Sequence, residues 1–101
     1  MGKRFKNDKE RKAFLDNYRN IDNGWYLWKE DEDINRRMWR NDLIGFAFIA
    51  EEQLITRTWP KPHEQWEVLH WYIVTHDSKP FADYQASKTQ VMEKLKEWDV
   101  G

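Results

Sequence analysis

Residues 66–74 read Trp-Glu-Val-Leu-His-Trp-Tyr-Ile-Val, an aromatic and β-branched run of the kind that fits a pleated strand. Pro60-Lys61-Pro62-His63-Glu64 stands before it, and two prolines within three residues cannot sit inside a sheet ladder. Asp77-Ser78-Lys79-Pro80 closes it with turn residues. Alternation assigns Trp66, Val68, His70, Tyr72 and Val74 to one face, and Glu67, Leu69, Trp71, Ile73 and Thr75 to the other. Both sets are substantially apolar, whereas a half-solvated strand shows one polar face.

Working back from this strand, residues 46–59 form the longest extended segment, interrupted by Glu51-Glu52-Gln53. Nothing in that triplet supplies the positive φ that a two-residue hairpin loop wants, so one bent strand with a bulge is expected over two short ones. Further upstream, Trp25 to Lys29 reads as a strand, with Trp25 and Leu27 opposite Tyr26 and Trp28. Glu30 to Asp33 then makes a hairpin connection, and Ile34 to Arg40 a second strand. Asn41-Asp42, helped by Gly45, is expected to turn the chain.

Helical periodicity appears at the two ends. Asp8 to Tyr18 carries Phe14, Leu15 and Tyr18 on one side, with Asn7 or Asp8 able to cap it, and Phe5 placed to fold back. Ser87 and Gln90 form a capping box ahead of Val91, Leu95 and Trp98, which fall at i, i+4 and i+7, with Met92 widening the stripe. Residues 82–86 read as a helical turn or an irregular approach. The expected fold is therefore α+β: a helix, a four-stranded antiparallel meander with a bulge or fifth strand at 51–53, and a C-terminal helix. Both helices should pack on one sheet face, in one domain spanning 1–101 whose residues 1–6 form a flexible basic tail. Trp25, Leu27, Phe48, Leu69, Trp71, Ile73, Phe14, Leu15, Leu95 and Trp98 are the expected core.

Composition narrows the function. The 101 residues contain no cysteine, which excludes a thiol nucleophile, an iron–sulfur cluster and a thiolate zinc site, and fits a cytoplasmic protein. The net charge of −1 argues against a dedicated duplex-DNA binder. It is unevenly spread: Lys3, Arg4, Lys6, Lys9, Arg11, Lys12 and Arg19 outnumber Asp8, Glu10, Asp16 and Asp22 in the first 24 residues. The four glycines are isolated, so no phosphate-cradling loop is present. His63, His70 and His76 lack metal-site spacing, and no metal, cofactor or membrane segment is expected. Candidate acid–base pairs are Glu52 with His70, should the strands register that way, and His76 with Asp77. A meander of this size offers little cleft, so a small hydrolase is the least favoured reading, and no catalytic residue is assigned.

The seven tryptophans then carry the question. A second apolar sheet face is a satellite cluster, a surface for a protein partner or a second copy, or a platform for single-stranded nucleic acid. Cross-strand aromatic pairs stabilise sheets with no functional purpose, and Trp and Tyr are enriched as interface anchors. We expect a non-catalytic protein-interaction module, homodimeric in one version, using Trp28, Trp39, Trp59, His70 and Tyr72, with Arg37 and Arg57 at the rim. The alternative is single-strand nucleic-acid binding by stacking, with phosphate contacts from Lys3, Arg4, Lys6, Lys9 and Lys12.

Overall fold

The computed structural model describes residues 5–75 and 84–100. Lys3, Arg4, the 76–77 pair and the 77–80 turn lie outside the described residues. The chain runs α1 (Asp8–Asp16), β1 (Tyr26–Asp31), β2 (Arg36–Asp42), β3 (Phe46–Arg57), β4 (His63–Thr75), β5 (Tyr84–Ala86) and α2 (Lys88–Val100). The five strands form one antiparallel sheet in the order of the chain, so each hairpin-connected strand lies beside its predecessor.

Both helices start where their caps dictate. The Asn7 side chain accepts from the Glu10 amide at 3.0 Å. At α2 the capping box closes in both directions, with the Ser87 amide donating to Gln90 Oε1 at 2.8 Å and the Gln90 amide to Ser87 Oγ at 3.2 Å. Phe14 and Leu15 from α1, with Val91, Leu95 and Trp98 from α2, bury against Trp25, which precedes β1, and against Phe46, Phe48, Ala50, Trp71 and Ile73 of the sheet. Phe5 folds back onto Phe14, ring centroids 5.1 Å apart, and its amide donates to Asp99. The opposite sheet face holds a smaller cluster, Ala47, Ile49 and Val74, flanked by Met38 and Tyr72.

Residues 46–57 are one strand, as the absence of turn chemistry at 51–53 requires. Its register shifts between Glu51 and Glu52, and the extra residue lies on the partner: Glu51 faces His70 while Glu52 faces Val68, leaving Leu69 unmatched. This bulge corrects the alternation read from the sequence. Trp66 and Val68 share the helix-covered face with Trp71 and Ile73, while His70, Tyr72 and Val74 take the other. A second bulge at Trp28, between Leu27 and Lys29, does the same to β1. Leu27 and Leu69, both expected in the core, are exposed at 43% and 37%: Leu69 is itself the inserted residue, while Leu27, opposite Trp39 and ahead of the Trp28 bulge, lies on the edge strand β1. One inserted residue reverses the face of all that follows, which periodicity counted from one end cannot anticipate.

Two further expectations are corrected. The fifth strand is Tyr84–Ala86, paired to Trp71–Ile73, in place of any strand break at 51–53. Three residues are too few to show an alternation, and the edge of β4 supplies the hydrogen bonds that hold them extended. Asn41 does not turn the chain but sits buried in β2 and donates to the Asn23 carbonyl at 2.9 Å. The reversal falls at Leu43–Gly45, where the Leu43 amide bonds Phe46 and Gly45 adopts φ 86°.

Candidate functional site

Glu51 and Glu52 turn to opposite faces because side chains alternate along a strand. Each becomes the centre of its own polar cluster. Glu52 is fully buried on the helix-covered face. Its Oε1 accepts from Arg37 Nε at 2.6 Å and Trp39 Nε1 at 2.7 Å; its Oε2 accepts from Arg19 Nε at 3.0 Å and from the Tyr18 hydroxyl. Arg37 also lies 4.0 Å over the Trp66 ring. Burial works to raise the Glu52 pKa, but the donors from Tyr18, Arg19, Arg37 and Trp39 outweigh it and hold the carboxyl below its ordinary value. Burial, then the hydrogen bond and negative charge of Glu52, push the Tyr18 hydroxyl well above the ordinary tyrosine range. A carboxylate saturated by four donors has no lone pair left for a substrate, so this cluster fastens the α1 end of the chain to the sheet.

The expected pairing of Glu52 with His70 does not form, because the bulge brings Glu51 to His70 instead. On the open face Glu51 Oε1 accepts from the Tyr72 hydroxyl at 3.0 Å and lies 3.1 Å from His70 Nδ1; Arg36 approaches its other oxygen at 4.0 Å. Burial, then the hydrogen bond to Glu51, raises the Tyr72 pKa. A cavity of about 450 Å³ opens beside Glu51, lined by Lys29, Ile34, Arg36 and Met38 with the carboxylates Glu30 and Asp31. Charges of both signs line it. Among the described residues, no three His, Asp or Glu side chains converge as a metal site.

The seven residues expected at an interaction surface divide three ways. Trp28, His70 and Tyr72 lie on the open face, and the register places Arg57 there too, paired with Glu67 at 2.9 Å. Trp59 stands between β3 and β4, 84% exposed. Arg37 and Trp39 lie on the other face, engaged with Glu52. Of the basic residues expected to meet phosphate, Lys12 pairs with Asp16 at 3.2 Å. Arg19, counted in the sequence among the basic residues of the first 24, follows α1 and binds Glu52. Neither Tyr18 nor Arg19 was marked as a partner of Glu52, since contacts 33 and 34 residues apart leave no local signal.

Beyond Gln53, β3 and β4 continue without β2 or β5 alongside, since β2 pairs up to Gln53 and β5 spans only Trp71–Ile73. The outer parts of the hairpin thus project as a two-stranded ribbon carrying Trp59 at its tip. No helix of the described residues is long and apolar enough to cross a membrane. No protein-family model matches the chain, and neither a curated protein nor a solved structure matches it.

Proposed function

We propose that the chain is a non-catalytic protein-interaction module, docking through the open sheet face and the tip of the β3–β4 ribbon. The observation that carries this reading is Trp59, whose indole is 84% exposed at the end of a projecting hairpin. An exposed large apolar side chain on a ribbon is suited to enter a partner's pocket, and tryptophan is the residue most enriched among binding hot spots. Tyr26, Trp28, His70 and Tyr72 extend a mixed aromatic and polar surface along the same side of the sheet, the composition of an interface. A protein partner, a second copy included, is the ligand class this favours.

Stacking of single-stranded nucleic acid is less well supported. Trp28 already carries Lys29 Nζ at 4.2 Å and the Arg40 guanidinium at 4.8 Å against its ring, and Arg37 with Trp39 is committed to Glu52. The test is affinity enrichment with quantified recovery on wild type and Trp59→Ala, followed by reconstitution with the purified partner. A partner held by wild type and lost by a folded Trp59→Ala supports the docking role. Equal recovery by both overturns it. Salt-sensitive tryptophan quenching by short single-stranded DNA or RNA would move the assignment to the alternative.

A further inference from the structure

The direction of one amide shows which main-chain groups the sheet leaves open. The Leu54 amide donates to the Asn35 carbonyl at 3.0 Å, so Leu54 turns its backbone groups toward the β2 side. Its partner across β4 is Trp66. In an antiparallel ladder each residue's N–H and C=O point the same way and successive residues alternate. Trp66 therefore turns both groups away from β3, and so do Glu64 and Val68. The register of β5 agrees, since it pairs Trp71–Ile73, and the bulge brings Trp71 and Ile73 at the two ends of that stretch into the same outward phase.

Between Glu64 and Val68 no described strand takes up those groups. The other edge of the sheet is guarded: β1 carries the Trp28 bulge and ends in Lys29, Glu30 and Asp31, features that discourage strand addition. The β4 edge has one guard of a different kind. Arg19 Nη2 donates to the Trp66 carbonyl at 3.0 Å while its Nε holds Glu52, so the residue just past α1 reaches round to the open backbone.

We infer that the β4 edge from Glu64 to Val68 is a strand-docking site for a second copy of this chain, and that Arg19 is its latch. The strand is self-complementary in the one register that uses all three outward-facing residues. Antiparallel pairing about a two-fold axis at Trp66 sets Trp66 opposite its counterpart, Glu64 opposite Val68, and Gln65 opposite Glu67. No like charges then face each other directly, which the cross-strand rules require. The Leu69 bulge ends the pairing on one side and Pro62 on the other. A pair formed this way would run two five-stranded sheets into one, with each Arg19 giving up the Trp66 carbonyl and keeping Glu52. This site is an edge and not the aromatic face, so it stands or falls apart from the docking role above.

Sedimentation velocity across a concentration series tests it, using wild type, Arg19→Met and the double variant Arg19→Met/Glu64→Pro. Proline at position 64 removes an outward donor and leaves the β3–β4 ladder intact. Each displaced latch is a charge-assisted hydrogen bond worth roughly a factor of ten, so Arg19→Met is expected to dimerise at least about ten-fold more tightly than wild type. The double variant should return to monomer. A folded Arg19→Met no more associated than wild type overturns the inference, as does a dimer that Glu64→Pro leaves unchanged. Wild-type hydrogen exchange at high and low concentration gives a second reading that needs no substitution. Concentration-dependent protection confined to the amides of Glu64, Trp66 and Val68 supports edge pairing, and its absence at millimolar protein overturns it.

Discussion

Glu51 and Glu52 are neighbours in the chain, yet both carboxylates are buried and they occupy opposite faces of the sheet. Glu52 is gripped by two arginines, a tyrosine and an indole. Glu51 meets a histidine and a tyrosine, with Arg36 at the limit of an ion pair. Their unequal surroundings make two adjacent, chemically identical residues unequal in consequence.

Glu52→Gln should therefore be the more damaging of the two amide substitutions. It leaves Arg19 and Arg37 facing a neutral group, and breaking one partner of a buried pair costs roughly 3–5 kcal/mol. The low end is expected, because Arg19 is half exposed and water can compensate it. Urea denaturation of Glu51→Gln and Glu52→Gln measures the difference, and equal losses would refute this ordering.

The same cluster sets the pH range of stability. Glu52 has a folded pKa below its unfolded one, so its contribution is present above the ordinary carboxylate range and is lost as pH falls through the lowered value. Tyr18 has the reverse sign: its folded pKa is raised, so its contribution is present below about pH 10 and lost at more alkaline pH. Urea midpoints followed from pH 2 to pH 11 should fall at both ends. Glu52→Gln should flatten the acid limb and Tyr18→Phe the alkaline limb.

Trp39 and Trp59 should separate stability from surface. Trp39→Phe removes the indole donor to Glu52, a hydrogen bond to a charged group worth about 1.5–3 kcal/mol. Trp59→Phe touches an exposed tip and should change stability by less than about 0.5 kcal/mol. Iodide quenching should show the opposite ranking, with Trp59→Phe removing much of the accessible emission.

Gly24→Ala should destabilise more than Gly45→Ala. Both glycines have positive φ, 93° and 86°. A methyl at 24 would also lie 3.3 Å from the Asn41 amide, while nothing stands within 4 Å of one at 45. A loss of about 1 kcal/mol is expected at 45 from the backbone alone, with more at 24 as Asn41 is pushed from the Asn23 carbonyl. Thermal denaturation of the two variants tests the order.

Much of this architecture was legible from local patterns. The Ser87–Gln90 box, the Val91–Leu95–Trp98 stripe and the proline break at 60–62 each rest on a few neighbouring residues, and each element lies where those residues put it. The face assignments failed where they depended on counting through Trp28 and Leu69, because a bulge is decided by pairing with a distant strand. For the same reason Glu52 was noticed but given the wrong partner. The bulge expected at 51–53 is present, with its extra residue, Leu69, across the ladder on β4. Exposure of Trp59 could have been anticipated from its place beside Pro60.

The Leu69 insertion behaves like a frameshift written in three dimensions. Upstream of it, every second residue from Glu64 to Val68 looks toward the helices; downstream, the rhythm restarts one step out of phase at Trp71. A systematic scan replacing β4 residues with aspartate would thus yield two interleaved combs whose teeth do not align. Deleting Leu69 would bring the combs into step without turning any other side chain over, since Val68 and His70 already stand opposite the adjacent Glu52 and Glu51.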